Sequence, residues 1–321
     1  MNKRLRGFKK IRRSILSARS IAISGHVNPD GDSIGSLLAL GLALSGLGKK
    51  VYMLCQGEIP PNYRSLPGAG SIVKTIKKKV DLAIAVDCSI IDLLDKNIPV
   101  FKNAKSILEI DHHRFRRSFG DMKIVDYQAA AVGELICFLI KELNIKITRN
   151  IAENILTSII VETNLFRLAN VRPATFKICT EMLKTKLNFS RLVDKVYGSR
   201  TKESMMLSAA CLLRAKFLKK DRIVWSTITK KNLTMAGCRD YDADSIASEM
   251  ISMKGVEAAV LFRENNSDML RVSLRSNGDI DIGPLAQKYK GGGHSDIAGF
   301  YAANNKKSIS KILASVEALL D

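Results

Sequence analysis

Long hydrophobic runs are absent from this 321-residue sequence. The longest uncharged apolar stretch, residues 33–48, is rich in glycine, serine and alanine, and it is shorter than the ~18 residues that a membrane-spanning helix needs. The sequence therefore predicts a buried helix at this point, no transmembrane segment and no membrane partner.

Cysteine and aromatic residues are scarce. The six cysteines are scattered without a CxxC pair and no secretory signal is recognisable, so we expect reduced thiols in a cytoplasmic protein. Aromatic residues make up 6% of the chain, with a single tryptophan and no aromatic-rich segment. This composition argues against a dedicated single-strand-binding protein, because such proteins stack bases on aromatic side chains.

Acidic residues are greatly outnumbered by basic ones. Lys and Arg total 51 against 31 Asp and Glu, so the formal net charge is +20. This excess favours a polyanionic partner, such as a nucleotide, a nucleic acid or an anionic membrane, but it does not choose among them. The hydrophobic content of 46% and the length fit a folded protein of two domains.

Residues 1–20 hold eight basic residues and no acidic one. Apolar residues recur here at helical spacing, as at Phe8, Ile11 and Ile15, which predicts an amphipathic helix packed on the first domain. An alternative is a transit peptide, whose composition is similar. The strand and motif that follow at once favour the packed helix.

Strand-like and helix-like patterns alternate in the first half of the chain. Apolar runs predict strands at 20–24, 51–54, 82–86 and 106–110. Helical patterns lie at 33–47, 130–143 and 149–160. This alternation predicts an α/β domain built on a parallel, doubly wound sheet.

The second half has a different pattern. It predicts strands at 222–227, 256–263 and 269–275, with helices near 242–251 and 307–320. We expect a smaller α+β domain here. The predicted organisation is a catalytic domain at 1–188, a polar, basic linker at 189–202 and a substrate-binding domain at 203–321.

Three of the four histidines lie at the carboxyl ends of predicted strands, where open α/β sheets bind their ligands. His26 lies in GHVNPDGDSIGS, residues 25–36, together with Asp30 and Asp32, directly after the first predicted strand. Asp87 follows the strand at 82–86, and DHH, residues 111–113, ends the strand at 106–110. Ligands of open α/β sheets bind outside the carboxyl ends of the strands, so these side chains are expected to converge.

A cluster of carboxylates needs compensating positive charge, since like charges raise one another's pKa values. Carboxylate and imidazole without thiolate suit Mn²⁺ first, with Mg²⁺, Fe²⁺ or Co²⁺ as alternatives. Five or more ligands exceed the needs of one tetrahedral ion, so we infer two ions, which at about 3.5–4 Å apart can activate water and clamp a phosphoryl group. The alternative is that the aspartates, Asp32 in particular, only cap helices.

A Gly-rich segment, KGGGHSDIAGF, spans residues 290–300 and contains His294. Consecutive glycines expose backbone N–H groups to an anion. Arg271, Ser273 and Arg275 alternate along a predicted strand and therefore share one face. If that face adjoins the Gly-rich segment, the two form a phosphate-binding surface.

Together, HVNPDGDSIGS, VDCS, DHH and RVSLRS…GGGHSDIAGF resemble the DHH phosphoesterase superfamily with its DHH-associated C-terminal domain. Within it the chain is most similar to the bacterial oligoribonuclease (nano-RNase) and pAp phosphatase group. The resemblance covers nearly the whole chain, with the motifs in the right order. It implies a two-manganese site in the first domain, and a homodimer.

The resemblance also implies roles for single residues. His26 and Asp30 would hold one ion, Asp32 and His112 the other, and Asp87 would bridge them. Asp111 would orient His112, and His113 would lie near the phosphate, so that His113, Asp87 and Asp111 form the catalytic set. The far end of the substrate would be bound by residues of the second domain: Arg271, Ser273, Arg275, Gly291, Gly292, Gly293 and His294.

One position departs from the family pattern. The family usually has an aspartate in a Thr-Asp-Thr-Gly-type segment, and here VETNLFR places Glu162 there, with Asn164 instead of glycine. Glutamate is also an oxygen ligand, but it carries one more methylene. It either reaches the second ion through a shifted backbone or rotamer, or misses it and leaves that site weaker.

The predicted function is hydrolysis of short oligoribonucleotides to mononucleotides, and of pAp to AMP, by water that two metal ions activate. Its partner is a short RNA or nucleotide. Alternatives are a cyclic-dinucleotide phosphodiesterase and a RecJ-like single-strand exonuclease. A non-enzymatic alternative is a nucleic-acid-binding protein with a decayed metal site, since phosphate contacts give affinity without chemistry.

Overall fold

A computed structural model describes residues 2–198, 201–243, 245–265, 268–293 and 295–320. The chain forms two compact units, Met1–Ser199 and Arg200–Asp321, here called unit 1 and unit 2. His294, one of the predicted substrate-binding residues, lies outside the described residues.

Unit 1 is built on a six-stranded sheet in which every neighbouring pair of strands is parallel. Its strands are β1 (Ser20–Ser24), β2 (Lys50–Leu54), β3 (Ile72–Val73), β4 (Leu82–Val86), β5 (Ser106–Asp111) and β6 (Met122–Val125). They are ordered β3-β2-β1-β4-β5-β6. The predicted parallel, doubly wound sheet is thereby confirmed.

The described helices of unit 1 are α1 (Asn2–Ser17), α2 (Gly31–Gly46), α3 (Ile98–Lys102), α4 (Val132–Glu142), α5 (Arg149–Glu162), α6 (Pro173–Leu183) and α7 (Phe189–Tyr197). α2 is apolar on nearly all sides and is buried along most of its length, as expected of a helix covered by other helices. At Gly35 a Cβ would lie 2.6 Å from Asn154 O, so α2 and α5 approach each other over a glycine.

α1 packs on unit 1 through its apolar face. Ile11 and Ile15 are buried in the core, and the Phe8 ring meets Phe138 edge to face at 5.5 Å. Lys9 and Arg12 lie on the exposed face. The amphipathic pattern therefore forms the predicted helix packed on the domain.

Unit 2 contains a mixed six-stranded sheet. Its strands are β7 (Lys216–Leu218), β8 (Ile223–Ile228), β9 (Ala258–Glu264), β10 (Met269–Ser276), β11 (Gly292–Gly293) and β12 (Ile297–Ala303). They are ordered β11-β12-β10-β9-β8-β7, and only β8 and β9 pair in parallel among these described strands. The described helices are α8 (Lys202–Leu213), α9 (Lys230–Ala236), α10 (Ile246–Ile251), α11 (Gly283–Lys288) and α12 (Lys306–Glu317).

Residues 189–197, the first part of the predicted linker, form a helix. This helix is α7, and its Leu192 and Val196 are buried in the core of unit 1. Over the described ranges, no helix combines the length and apolar character needed to cross a membrane. All six cysteines are free thiols, and only Cys238 is not buried.

Candidate metal centre

The order of the strands brings the predicted ligands together. β1 and β4 are neighbours, although the chain leaves β1 toward β2 on one side and β4 toward β5 on the other. Such a switch point opens a crevice at the carboxyl ends of the strands. His26 follows β1 there, Asp87 follows β4, and Asp111 is the last residue of β5.

A first ligand group consists of His26, Asp30 and Asp87. One donor atom from each residue lies within 4.8 Å of the other two. His26 Nε2 is 3.4 Å from Asp87 Oδ2 and 3.8 Å from Asp30 Oδ1. An imidazole and two carboxylates at these separations suit a single divalent ion.

A second ligand group consists of Asp32, His112 and Glu162, again with donor atoms within 4.8 Å of one another. His112 Nε2 lies 3.5 Å from Asp32 Oδ2 and 3.7 Å from Glu162 Oε1. Asp87 Oδ1 is 3.9 Å from the same nitrogen. The carboxylate of Asp87 therefore faces both groups, one with each oxygen.

The two aspartates of the first loop have different local roles. Asp30 is the N-cap of α2, and its Oδ1 accepts a hydrogen bond from Ser33 N at 2.9 Å. The alternative that Asp32 caps the helix is wrong, because Asp32 lies in the first turn and is fully buried. Its Oδ1 accepts hydrogen bonds from Ser36 Oγ and Ser158 Oγ, so its carboxylate is held from two helices.

The ring of His112 is set by a backbone carbonyl. His112 Nδ1 lies 2.9 Å from Ala129 O. A carbonyl oxygen only accepts hydrogen bonds, so Nδ1 carries the proton. In the neutral ring the lone pair is then on Nε2, which faces Asp32 and Glu162 and is available to a metal ion.

Asp111 acts mainly on His113 rather than on the ring of His112, contrary to what the resemblance implies. Its Oδ1 accepts hydrogen bonds from His113 Nδ1 at 2.8 Å and from the backbone N–H of His112 at 2.9 Å. The His112 ring points away toward Ala129, so Asp111 reaches only the backbone of that residue.

Asp87 has a backbone conformation that is unusual for a residue with a side chain. Its φ is 53°, in the left-handed region, which costs on the order of 1–3 kcal/mol. The backbone N–H of Asp87 donates to Ile110 O at 2.9 Å, which fixes this turn after β4. Its Oδ1 is buried and accepts no hydrogen bond from the described residues, as expected of an atom reserved for an ion.

The carboxylates of the site are not fully balanced by positive charge from the protein. Burial, together with Asp87 and Glu162, raises the pKa of Asp30 to about 6 even though His26 opposes the shift. Burial and the same carboxylates raise the pKa of Asp32 well above its usual value. Divalent cations among these oxygens would remove the repulsion that makes protonation favourable.

The imidazoles respond to the same carboxylates. Burial acts to lower the pKa of His113, but the hydrogen bond to Asp111 and the charges of Asp111, Asp87 and Glu162 outweigh it and raise that pKa to about 10. Burial also opposes ionisation of Asp87. The hydrogen bond to His26 and the charges of His113, His26 and His112 outweigh burial and hold the pKa of Asp87 below its usual value.

Glu162 is the last residue of α5, and a left-handed turn follows it. Asn164, Leu165 and Phe166 have φ values of 44°, 57° and 63°. Asn170 Nδ2 donates to the backbone carbonyl of Glu162 at 3.2 Å. Side-chain Oε1 lies within the second ligand group, so the longer glutamate side chain reaches the other donors.

The predicted phosphate-binding residues of unit 2 share one sheet face. Arg271, Ser273 and Arg275 are partly exposed on β10, whereas the residues between them are buried. Arg271 Nη1 donates to Asp240 Oδ2 at 3.1 Å, and Arg275 Nε donates to Ser248 Oγ at 3.3 Å.

The Gly-rich segment continues this face across the sheet. Ser273 pairs with Gly299 of β12, and Gly299 pairs with Gly292 of β11. A Cβ at Gly292 would meet nothing within 4 Å, so the surface at Gly292 is open. The structure thus places Gly292 and Ser273 on one face, where the sequence could only suggest adjacency.

Sequence reasoning missed the residues that support the ligands. Ser36 and Ser158 bind Asp32, the Ala129 carbonyl holds His112, and Arg116 Nε donates to Asp111 Oδ2 at 2.9 Å. Short local spacing could have suggested Ser36, which lies one helical turn after Asp32. The remaining contacts depend on how distant segments meet.

Two family models match the chain. The model described as "DHH family, N-terminal domain" matches residues 20–159, and the one described as "DHHA1 domain" matches residues 229–321. The first match contains the segments around His26, Asp87 and residues 111–113, and the second contains Arg271 and the Gly-rich segment, whereas Glu162 lies outside both.

Curated relatives cover most of the chain. It is 30% identical over 281 residues to the bifunctional oligoribonuclease and PAP phosphatase NrnA of Thermus thermophilus, covering 87% of this chain and 83% of that protein. It is 26% identical over 310 residues to the Bacillus subtilis protein of the same name, covering 96% of each. A solved structure of an exopolyphosphatase-related protein from Bacteroides fragilis has the same fold, with a TM-score of 0.87, 23% identity and coverage of 97% and 95%.

Proposed function

The chain belongs to the DHH family, and from this membership and the arrangement of its ligand groups we propose that it is a metal-dependent phosphoesterase of short oligoribonucleotides and pAp. Dinucleotides and other short RNAs would be hydrolysed to mononucleotides, and pAp to AMP. The names of its relatives in Thermus and Bacillus, each a bifunctional oligoribonuclease and PAP phosphatase, support both activities.

The observation that carries the proposal is the position of Asp87 between two ligand groups. Its Oδ2 is 3.4 Å from His26 in the first group, and its Oδ1 is 3.9 Å from His112 in the second. A carboxylate shared by two ligand groups would hold two divalent ions close together, as two-metal catalysis of phosphoester hydrolysis needs.

The donor set fits two divalent ions. His26, Asp30 and Asp87 would hold one, and Asp32, His112 and Glu162 the other, with Asp87 shared. Carboxylate and imidazole donors without thiolate favour Mn²⁺, and Mg²⁺, Fe²⁺ or Co²⁺ are compatible. When bound, such ions supply Lewis acidity, which lowers the pKa of water and offsets the charge of a phosphoryl group.

The protein's own residues then have distinct tasks. Asp32 and His112 are held rigidly by Ser158 and by the Ala129 carbonyl, so the second group is organised before substrate binds. His113 is partly exposed, and its Nδ1 lies 3.5 Å from Asp87 Oδ1. We assign His113 to donate a hydrogen bond to the phosphoryl group, with Asp111 holding the ring in place.

Unit 2 would bind the remainder of the substrate. Guanidinium groups pair with phosphate through two parallel hydrogen bonds, and glycines expose backbone donors beside them. We assign this task to Arg271, Ser273, Arg275, Gly291, Gly292, Gly293 and His294. The basic surplus of the chain matches a polyanionic substrate.

The test compares substrates under one set of conditions. Purified protein is given a 5′-phosphorylated RNA dinucleotide, pAp, a cyclic dinucleotide and a long single-stranded RNA, each with Mn²⁺ and with chelator. We expect metal-dependent release of mononucleotides from the dinucleotide and of AMP from pAp, with slow turnover of the long strand.

Each other outcome overturns the proposal in a different way. Hydrolysis of the cyclic dinucleotide alone would identify a cyclic-dinucleotide phosphodiesterase. Stepwise degradation of the long strand at an equal rate would identify a RecJ-like exonuclease. Binding of RNA without turnover in any condition would identify a nucleic-acid-binding protein.

A further inference from the structure

Four side chains form a hydrogen-bonded chain that runs through three buried groups and ends at the partly exposed His113. Arg116 Nη2 donates to Glu109 Oε2, and Arg116 Nε donates to Asp111 Oδ2 at 2.9 Å. The other oxygen of Asp111, Oδ1, accepts a hydrogen bond from His113 Nδ1 at 2.8 Å. We call these four residues, Glu109, Arg116, Asp111 and His113, the relay.

The far end of the relay is anchored deep in unit 1. The Glu109 side chain is fully buried, and that of Arg116 is 6% exposed. Glu109 also accepts hydrogen bonds from the backbone N–H groups of Phe119 and Gly120, so the carboxylate ties the loop after β5 to the strand. A Cβ at Gly120 would lie 2.9 Å from Glu109 Cγ, so the absence of a side chain there makes room for the carboxylate.

We propose that Arg116 is a positioning residue for the phosphoesterase reaction: held by Glu109, it fixes Asp111 and thereby the ring of His113. The two oxygens of Asp111 have different partners. Oδ2 accepts from Arg116, and Oδ1 accepts from His113 Nδ1 and from the backbone N–H of His112. This proposal rests on the proposed function, in which His113 contacts the phosphoryl group.

The contacts require arginine at this position. Nε and Nη2 of one planar guanidinium point to two different carboxylates, and a single ammonium cannot reproduce that fork. A lysine would keep the charge but hold Asp111 less firmly. The relay therefore predicts a defect in Arg116→Lys, which a simple need for positive charge does not.

The contacts that orient the side chains of Asp32 and His112 lie outside the relay, although Asp111 also bonds the backbone N–H of His112. Asp32 is held by Ser36 and Ser158, and the His112 ring is held by the Ala129 carbonyl. Loss of Arg116 should consequently leave metal binding intact while it releases His113. A salt bridge that only stabilises the loop would instead reduce stability without a selective effect on turnover.

Two variants separate these explanations. Arg116→Lys keeps the charge but loses the fork. Glu109→Gln combined with Arg116→Met removes both charges of that ion pair, so that Glu109 is not left as an unpaired buried carboxylate. Asp111 keeps its hydrogen bonds from His112 and His113, which favours folding of the double variant. In both we expect kcat on the RNA dinucleotide to fall about 10–100-fold, as is typical when a supporting contact is lost, with unchanged KM and unchanged metal stoichiometry.

A readout independent of turnover is available because the chain has only four histidines. In the metal-free protein labelled with ¹⁵N-histidine, the His113 Nδ1–H proton should resonate far downfield, and His113→Asn identifies it. Both relay variants should shift or broaden that signal. Arg222→Lys is the matched control, since Arg222 pairs with Glu257 through Nε and Nη2 in unit 2 and should leave the signal and kcat unchanged.

The results decide the proposal separately from the proposed function. If either variant keeps both the downfield signal and the wild-type kcat, Arg116 is not a positioning residue. If the wild-type protein lacks turnover, the proposed function fails, and the imidazole spectrum alone still shows whether Arg116 positions His113. A spectrum unchanged in both variants would overturn the relay in that case.

Discussion

Ser158 Oγ donates a hydrogen bond to Asp32 Oδ1 at 2.6 Å, across 126 residues of sequence. The same hydroxyl accepts from Gly133 N at 2.8 Å, so α5 connects a proposed metal ligand to the start of α4. Because both groups are buried, neither bond is replaced by water when the hydroxyl is removed.

Ser158→Ala is therefore expected to weaken the second metal position. Supporting contacts of this kind are worth on the order of 10–100-fold in metal affinity. The measurement is Mn²⁺ affinity by calorimetry. Thr157→Ala is the matched control, since Thr157 is a buried hydroxyl on the same helix that bonds only Glu153 O among the described residues. Equal losses in the two variants would contradict the role of Ser158.

Glu162→Gln tests whether glutamate serves as a ligand in place of the family's aspartate. It preserves size but removes the charge that lies 3.7 Å from His112 Nε2. We expect one tightly bound metal ion per chain instead of two, and a fall in kcat of on the order of 100-fold if two ions share the chemistry. Metal analysis after gel filtration gives the stoichiometry.

Glu162→Asp gives a second view of the same position. The shorter side chain draws the carboxylate back toward the backbone of α5, so with this backbone the second ion should bind more weakly. An aspartate variant with tighter metal binding and faster turnover would show that the natural glutamate misses the ion.

Asp81 predicts a specific dependence of stability on pH. Its carboxylate binds Lys105 Nζ at 2.7 Å and accepts from the backbone N–H groups of Ser20 and Arg19. The Lys105 contact, followed by the two backbone bonds, lowers the pKa of Asp81 below its usual value. A lowered folded-state pKa stabilises the protein above the unfolded pKa near 4, and that stabilisation is lost as the pH falls further.

Asp81→Asn should therefore be less stable than wild type by about 1 kcal/mol at pH 7, since the carboxylate is partly exposed and screened. The difference should shrink as the pH is lowered below about 4. Urea unfolding of both proteins across this range measures it. A difference that stays constant with pH would show that the charge of Asp81 is not responsible.

Gly35→Ala should disturb the contact between α2 and α5. The added Cβ would lie 2.6 Å from Asn154 O and 2.8 Å from Ser158 N, so the helices must separate, at a cost of roughly 1–3 kcal/mol. Gly46→Ala is the control in the same helix, because its Cβ would meet nothing within 4 Å. Thermal unfolding should show a loss for the first variant and a neutral or small stabilising effect for the second.

The central strands of unit 1 were predictable because burial on both faces leaves them continuously apolar. Ser20–Ser24 and Leu82–Val86 form as predicted, residue for residue. β12, which the sequence analysis did not predict, has the sequence IAGFYAA, which contains Gly299 and is apolar on both faces. It therefore lacks the alternation of apolar and polar residues that indicates a half-buried strand.

The positions of the predicted metal ligands could be inferred from one topological rule, but the residues that hold those ligands in place could not. Parallel strands place Asp87 and His112 at one edge of a sheet whatever their distance in sequence. The contacts of Asp111 with Arg116 and of His112 with Ala129 depend on how loops fold back. Spacing alone likewise cannot tell which of Asp30 and Asp32 caps α2, since both precede the same apolar run in the sequence.

The most direct test of the two-metal account is a metal titration of turnover. Chelator-stripped wild-type protein and its Asp87→Asn variant are reloaded with Mn²⁺ in steps, and hydrolysis of a 5′-phosphorylated RNA dinucleotide is followed at each step. We predict that wild-type turnover is absent without metal and reaches its maximum once both positions are filled, whereas the folded variant stays inactive. Turnover that survives stripping, or a variant as active as wild type, would contradict the account.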